Sequence, residues 1–246
     1  MSWGNEPTGL TVAIHQPEAF PWLGFFDKMF HADVFVLLDS VQFEKNSFQN
    51  RNRIRTRDGW AWITVPVLTK GRLLQVIADV EINGVVDWRR KIRGTIEQHY
   101  REAAHWTRYR NELWAILDRP WERLADLNVA VIDWLASSLG IRRPLVRAST
   151  LGISGKRSAL LLEICRSLGA GTYLSGVSGR SYLDVHLFAQ AGITVRFQEF
   201  YHPIYAQCHQ PFVPCMSTLD LLFTQGTEAL TILTSAVISR LEEVFK

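Results

Sequence analysis

Short apolar runs alternating with helical patterns at both ends of the chain restrict its fold more than any other feature. Thr11-Val-Ala-Ile-His15 is an apolar run broken at Gln16-Pro17, and Asp33-Val-Phe-Val-Leu-Leu-Asp39 is a second run closed by an acid. Between them Pro21 suits a first helical position, and Leu23, Phe26 and Phe30 recur at helical spacing. Strands joined through a helix pair in parallel, so residues 11–39 read as one βαβ unit. The last third repeats the scheme. Pro144–Ala148 reads as a strand, Lys156–Leu168 as a helix stopped by Gly169, and 172–174 as a strand. Leu183–Gln190 then reads as a helix ended by Gly192, before a strand at 193–197. The expected fold class is α/β, a mostly parallel doubly wound sheet with helices on both faces.

Residues 40–58 change character: five basic side chains face only Glu44 and Asp58, and the stretch reads as a basic loop. Trp60–Val67 returns to strand composition, with Pro66 placing it at an edge or at a strand's end. From Asp87 to Gly140 the pattern is helical, with Trp88, Ile92, Ile96 and Tyr100 every four residues and a second stripe at Leu127, Val131, Trp134 and Leu135. Further helices are expected from about Ser217 and over Glu228–Val244. The expected organisation is one α/β domain over 1–246 with a helical insertion at 87–140. With 47% apolar and 21% charged residues the chain can bury a core, and 27 − 24 gives a net charge of +3, too small for a protein that coats nucleic acid. Any basic function is therefore local. No apolar stretch approaches the roughly 18 residues of a membrane span. The first residues resemble no secretory signal, and three cysteines make an odd number suited to a reducing compartment, so the expected location is cytoplasmic.

Four constellations carry candidate chemistry. His15-Gln16-Pro17 ends the first strand, and Phe20-Pro-Trp22-Leu-Gly24 opens the next helix. Ligands of open α/β sheets bind outside the carboxyl ends of strands, which makes His15 a candidate phosphate-binding cation or acid–base group, against the alternative that it caps a strand while Trp22 packs. The second runs from Asp39 through Gln42, Lys45, Asn50, Arg51, Asn52 and Arg53 to Arg55, with Phe43 and Phe48 between. Amides and basic groups so close together suit a multiply hydrogen-bonded anion such as a nucleotide-linked sugar. A solvated loop and a single-stranded nucleic-acid patch are the competing readings. In the third, Ser175, Gly176, Gly179, Arg180, Tyr182 and Asp184 follow a strand. Small residues let the backbone approach an anion that Arg180 can grip, although the spacing is neither that of the P-loop nor that of the dinucleotide fingerprint. The fourth holds His202, Tyr205 and Gln207. His202 is a second candidate imidazole or else a satisfied structural one, and the spacing of Cys208, His209 and Cys215 matches no common zinc pattern, so no metal is expected.

His-Gln-Pro-x-x-Phe-Pro-Trp-Leu-Gly at 15–24, Leu-Asp-x-Val-Gln-Phe-x-Lys-x-Ser-Phe-Gln-Asn-Arg-Asn at 38–52, Tyr-Leu-Ser-Gly-x-x-Gly-Arg-x-Tyr-Leu-Asp at 173–184 and Phe-x-His-Pro-x-Tyr-x-Gln at 200–207 resemble the WbqC-like family. The resemblance covers nearly the whole chain. It implies an association with bacterial surface-polysaccharide (O-antigen) clusters and transferase chemistry: aminoacyl or acyl modification of an amino sugar. A second similarity, to nucleotidyltransferase-like folds including pantothenate-synthetase-type ligases, rests on a strand leading into a histidine-bearing loop. The second histidine of their His-x-Gly-His is replaced here by Pro21-Trp22-Leu23-Gly24, a departure that bears on ATP use.

The expected activity is acyl or aminoacyl transfer to an amine, on a nucleotide-activated amino sugar, with ATP or an acyl donor as the second reactant. His15, His202 and Asp39 are the candidate catalytic groups, and a single cleft is expected to gather all four constellations. The expected partner is a small anionic substrate. A pantothenate-synthetase-type ligase and a non-catalytic nucleic-acid or glycan-binding module using the basic loop are the alternatives.

Overall fold

The computed structural model describes residues 9–235. In chain order its elements are β1 (Leu10–His15), α1 (Leu23–Phe30), β2 (Val34–Leu37), β3 (Arg51–Thr56), β4 (Gly59–Thr64), α2 (Trp88–Tyr100), α3 (Trp106–Asp118), α4 (Leu124–Leu139), β5 (Leu145–Arg147), α5 (Arg157–Ser167), β6 (Ala170–Ser175), α6 (Val185–Gln190), β7 (Thr194–Phe197) and α7 (Thr218–Gln225). The chain forms two compact units. The first takes residues up to Gln16, Lys28–Asp39 and Arg143–Glu199; the second takes Pro17–Asp27, Ser40–Arg142 and residues from Phe200 onward.

The first unit is a five-stranded sheet in the order β5-β2-β1-β6-β7, and every neighbouring pair is parallel. Its strands fall where the short apolar runs place them. Val12 and Ala13 of β1 and Phe35, Val36 and Leu37 of β2 are fully buried, as expected of interior parallel strands covered on both faces. Taken in the order the chain visits them, the strands lie 3-2-1-4-5. The order therefore reverses at β1, which pairs with β2 on one side and β6 on the other. Helix α5 packs on β6, α6 packs on β7, and the two helices touch each other. Tyr173 of β6 stacks on Phe188 of α6 with ring centroids 5.2 Å apart. Gly169, at φ 67°, supplies the left-handed residue that ends α5 and turns the chain into β6.

The helical stretch expected over 87–140 is three helices of the second unit, α2–α4, and the stripe Trp88, Ile92, Ile96 and Tyr100 is buried on α2. That unit also holds α7 and an antiparallel hairpin. Asp87 caps α2 by accepting from the Arg90 amide, and Ser217 caps α7 by accepting from Leu219. The last helical stretch is present over 229–235, and the remainder of the expected Glu228–Val244 helix lies outside the described residues.

One expectation fails here. The basic stretch is not a loop throughout, because Arg51–Thr56 is a strand that pairs with β4 across a two-residue turn, Arg57-Asp58. Its signal was alternation rather than hydrophobicity: Arg51, Arg53 and Arg55 share one face, while Asn52 and Ile54 point to the other and are fully buried. Arg55 is itself 1% exposed. Its Nη1 donates to the Thr56 and Gly59 carbonyls and its Nη2 to the Pro211 carbonyl at 2.7 Å, so it cannot meet a polyanion from a surface loop.

Removing side-chain volume on the core face of β3 tests this assignment. Ile54→Ala should cost roughly 2–5 kcal/mol in chemical denaturation, while Arg57→Ala in the exposed turn should stay within about 0.5 kcal/mol. Equal effects would return the segment to a solvated loop.

Candidate functional site

In the first unit the reversal of strand order fixes what stands together. His15 ends β1, Ser175 ends β6 beside it, and the turn Val177–Ser181 follows directly. In doubly wound sheets this switch point is where ligands enter, because the chains leaving the two neighbouring strands diverge and open a crevice. His15 is half-buried, and its Nδ1–H donates to the Gln16 carbonyl at 3.0 Å, which leaves Nε2 as the unprotonated nitrogen of the neutral ring. Burial first, and the nearby Lys28 ammonium second, hold its pKa down at about 3, against a smaller opposing effect of the Gln16 carbonyl.

Lys28 was not among the residues singled out from sequence. It sits in the last turn of α1, is 2% exposed, and donates from Nζ to the Ile14 carbonyl at 2.8 Å. A Cβ on Gly176 would lie 3.8 Å from that Nζ, so the ammonium stands against the first residue of the turn after β6. The available signal was a charged pair, Asp27-Lys28, inside an otherwise apolar helix.

The turn itself depends on missing side chains. A Cβ on Gly179 would come within 2.1 Å of the Ser175 hydroxyl, and the Gly179 amide closes the turn on the Gly176 carbonyl at 3.0 Å. Arg180 is exposed, lies 4.5 Å over the Phe197 ring and stands 4.0 Å from Glu199. Tyr182 is 58% exposed, whereas Asp184 caps α6 by accepting from the Leu187 amide. Asp39 ends the strand region of β2, fully buried. Its carboxylate accepts from Arg147 Nε at 2.7 Å, from the Ser149 amide at 2.8 Å and from the Ser149 hydroxyl at 2.8 Å. Those bonds tie the ends of β2 and β5 together, which is the work of a positioning residue.

Trp22 of the first constellation, the second constellation beyond Asp39 and all of the fourth belong to the second unit. Trp22 packs edge-on against Phe200 at 5.4 Å and over Gly24, where a Cβ would come within 2.4 Å of the indole. Gln42 and Lys45 are exposed. Asn50 and Asn52 are buried: Asn50 donates to the Val65 carbonyl at 3.1 Å while its Oδ1 has no partner, and Asn52 accepts from the Arg53 amide while its Nδ2 has none. Arg51 and Arg53 lie over Trp62 and Trp60.

His202 has both ring nitrogens engaged by backbone. Nδ1–H donates to the Pro203 carbonyl at 2.8 Å and Nε2 accepts from the Cys215 amide at 3.0 Å. Burial lowers its pKa, with the Pro203 carbonyl opposing. Tyr205 and Gln207 meet on Asp220, a fully buried carboxylate at the start of α7. It accepts from Tyr205 at 2.9 Å, Gln207 at 2.8 Å and Tyr100 at 2.8 Å. Burial raises the Asp220 pKa, while these donors pull the other way. The Tyr100 hydroxyl also accepts from the Arg55 amide at 2.9 Å, so the network joins β3, α2, α7 and the 205–207 segment. Nothing in the sequence around Asp220 announced three donors from distant segments. Among the described residues, no group of three His, Cys, Asp or Glu side chains is placed to hold a metal ion, and no helix is long and apolar enough to cross a membrane.

A parallel sheet with the order 3-2-1-4-5, carrying a histidine, a buried lysine and a glycine turn at its switch point, defines an α/β protein of the doubly wound class. The chain belongs to the WbqC-like protein family, whose profile matches residues 16–232. It is 36% identical over 220 residues to an uncharacterized protein of Mycobacterium tuberculosis, Rv1507c, covering 89% of this chain and 95% of that one. No solved structure matches the chain.

The lowered pKa of His202 has a definite sign in stability. The unfolded chain takes up a proton near pH 6.5 that the folded ring resists, so this contribution is complete above about pH 6.5 and lost as pH falls toward the folded value. Urea midpoints between about pH 7 and 5 should therefore fall more steeply for the wild type than for His202→Gln. Parallel curves would mean that His202 titrates freely in the folded protein.

Proposed function

We propose that the crevice beyond β1 and β6 binds the phosphate-bearing part of a nucleotide-linked amino sugar, and that the chain transfers an acyl or aminoacyl group to the sugar's amine. The observation that carries this reading is the convergence of His15, the Lys28 ammonium and the Gly176–Gly179 turn at the point where strand order reverses. A buried cation attracts an anion more strongly than an exposed one. Arg180, at the exposed rim, supplies a planar fork for a second anionic group.

The chemistry follows from the state of the imidazole. A ring with a pKa of about 3 is neutral at pH 7 and by itself a weak base. An arriving phosphate opposes the Lys28 field and raises the ring's proton affinity, which tunes the base only when substrate is present. The amine nitrogen attacks the acyl carbon, its proton passes to His15 Nε2, and the bond from the acyl carbon to its carrier breaks with the electron pair leaving on the carrier. The resemblance to WbqC-like sequences supports the amino-sugar acceptor and the surface-polysaccharide setting. The strand order also suits a ligase that first activates a carboxylate with ATP, and consumption of ATP separates the two readings.

The test is incubation of the full chain with nucleotide-linked amino sugars and acyl or aminoacyl donors, with and without ATP, read by mass spectrometry. The reading predicts a product heavier by the acyl group and a rate reduced about 10²-fold or more in His15→Ala. If no combination reacts and no nucleotide-linked compound raises the melting temperature, the proposal fails.

A further inference from the structure

The hairpin of the second unit presents a face that the proposed chemistry does not use. Arg51 and Arg53 of β3 and Trp60 and Trp62 of β4 lie on one side of the ribbon, where the register pairs Arg53 with Trp62 and Arg55 with Trp60. The cation contacts run diagonally to that register. The Arg51 guanidinium lies 4.2 Å from the Trp62 ring centroid and that of Arg53 lies 5.3 Å from Trp60. Trp60 is 44% exposed, Trp62 36% and Phe48 42%, with Trp60 5.3 Å and Phe48 6.0 Å from Trp62.

Two indoles on the ribbon with Phe48 beside them go beyond the scattered apolar exposure of ordinary surfaces. Among the described residues neither Arg51 nor Arg53 pairs with a carboxylate, and the Nε of each is buried without a hydrogen-bond partner. Lys45 and Arg57 are exposed nearby in sequence, each beside an exposed acid, Glu44 and Asp58. The face is thus a cationic and aromatic platform whose charges no part of the described chain neutralises.

We propose that this face binds single-stranded nucleic acid, with bases stacked on the arginine–tryptophan pairs and phosphates held by the guanidiniums. Two features favour that occupant over an anionic glycan. A sugar ring packs its C–H groups on an open indole face, but here each indole carries a guanidinium over it. A guanidinium plane still accepts a flat base by stacking and a phosphate by paired hydrogen bonds. The two pairs also repeat along the strand direction, as successive nucleotides would require. The net charge of +3 accords with a short local site rather than a protein that coats nucleic acid. This inference lies wholly in the second unit and stands or falls independently of the transfer chemistry.

The test is fluorescence anisotropy of a labelled twelve-residue oligouridylate titrated with the full chain at low salt, with a sulfated glycan of similar charge as competitor. Binding is expected, with a log–log salt slope of about −1.4 for two phosphates. Arg51→Ala, Arg53→Ala and Trp60→Ala should each weaken it by about tenfold. Arg51→Lys with Arg53→Lys, which keeps the charge and removes the stacking plane, should weaken it comparably. Arg166→Ala, an exposed cation of the first unit, should leave it unchanged. The proposal is overturned if the oligonucleotide does not bind. It is equally overturned if the lysine and Trp60 variants bind like the wild type, or if the glycan displaces the oligonucleotide at equal or lower concentration.

Discussion

The parallel pairing of β1 on both of its sides is the constraint on which the first unit depends. A strand hydrogen-bonded to β2 on one side and β6 on the other forces the connections leaving its end to diverge. His15 and the turn after Ser175 are then neighbours although 160 residues separate them in sequence, as 175 − 15 shows. Lys28 enters this arrangement by donating to the Ile14 carbonyl, one residue before the strand ends. The polar cluster is therefore set by sheet topology, and its electrostatics by how little water reaches it.

Asp39 and His202, both attractive from sequence, are held by structural hydrogen bonds. Three donors hold the Asp39 carboxylate, and two backbone groups hold the His202 ring. Each of these buried bonds is costly to leave unmade, which ties both groups to their structural partners. The Nδ1–H bond of His15 to the Gln16 carbonyl orients its ring and leaves Nε2 as the unprotonated nitrogen.

Much of the first unit was legible because its strands are short apolar runs separated by helices, a pattern that local sequence carries. The hairpin was not legible in the same way. β3 buries Asn52, Ile54 and Arg55, and a strand with two polar residues among its buried three reads as a loop unless alternation is weighed above composition. Lys28 and Asp220 were hidden for a different reason. Each acquires its role from partners far away in sequence: Lys28 through the carbonyl of β1 and the glycine after β6, Asp220 through Tyr100, Tyr205 and Gln207. The glycine turn at 176–179 was readable as a site where a side chain would intrude, and at Gly179 the intrusion would be on the Ser175 hydroxyl of the chain itself.

The central claim is that the crevice at β1 and β6 is an anion site tuned through the His15 ring. Its most direct test is an NMR titration of the imidazole in protein carrying labelled histidine, alone and with a saturating nucleoside diphosphate. The account predicts a ring that stays neutral through about pH 5–8 in the protein alone, consistent with a pKa of about 3, and a pKa raised by more than about one unit when the diphosphate binds. A ring that titrates near its ordinary value of about 6.5 and ignores the diphosphate would contradict it.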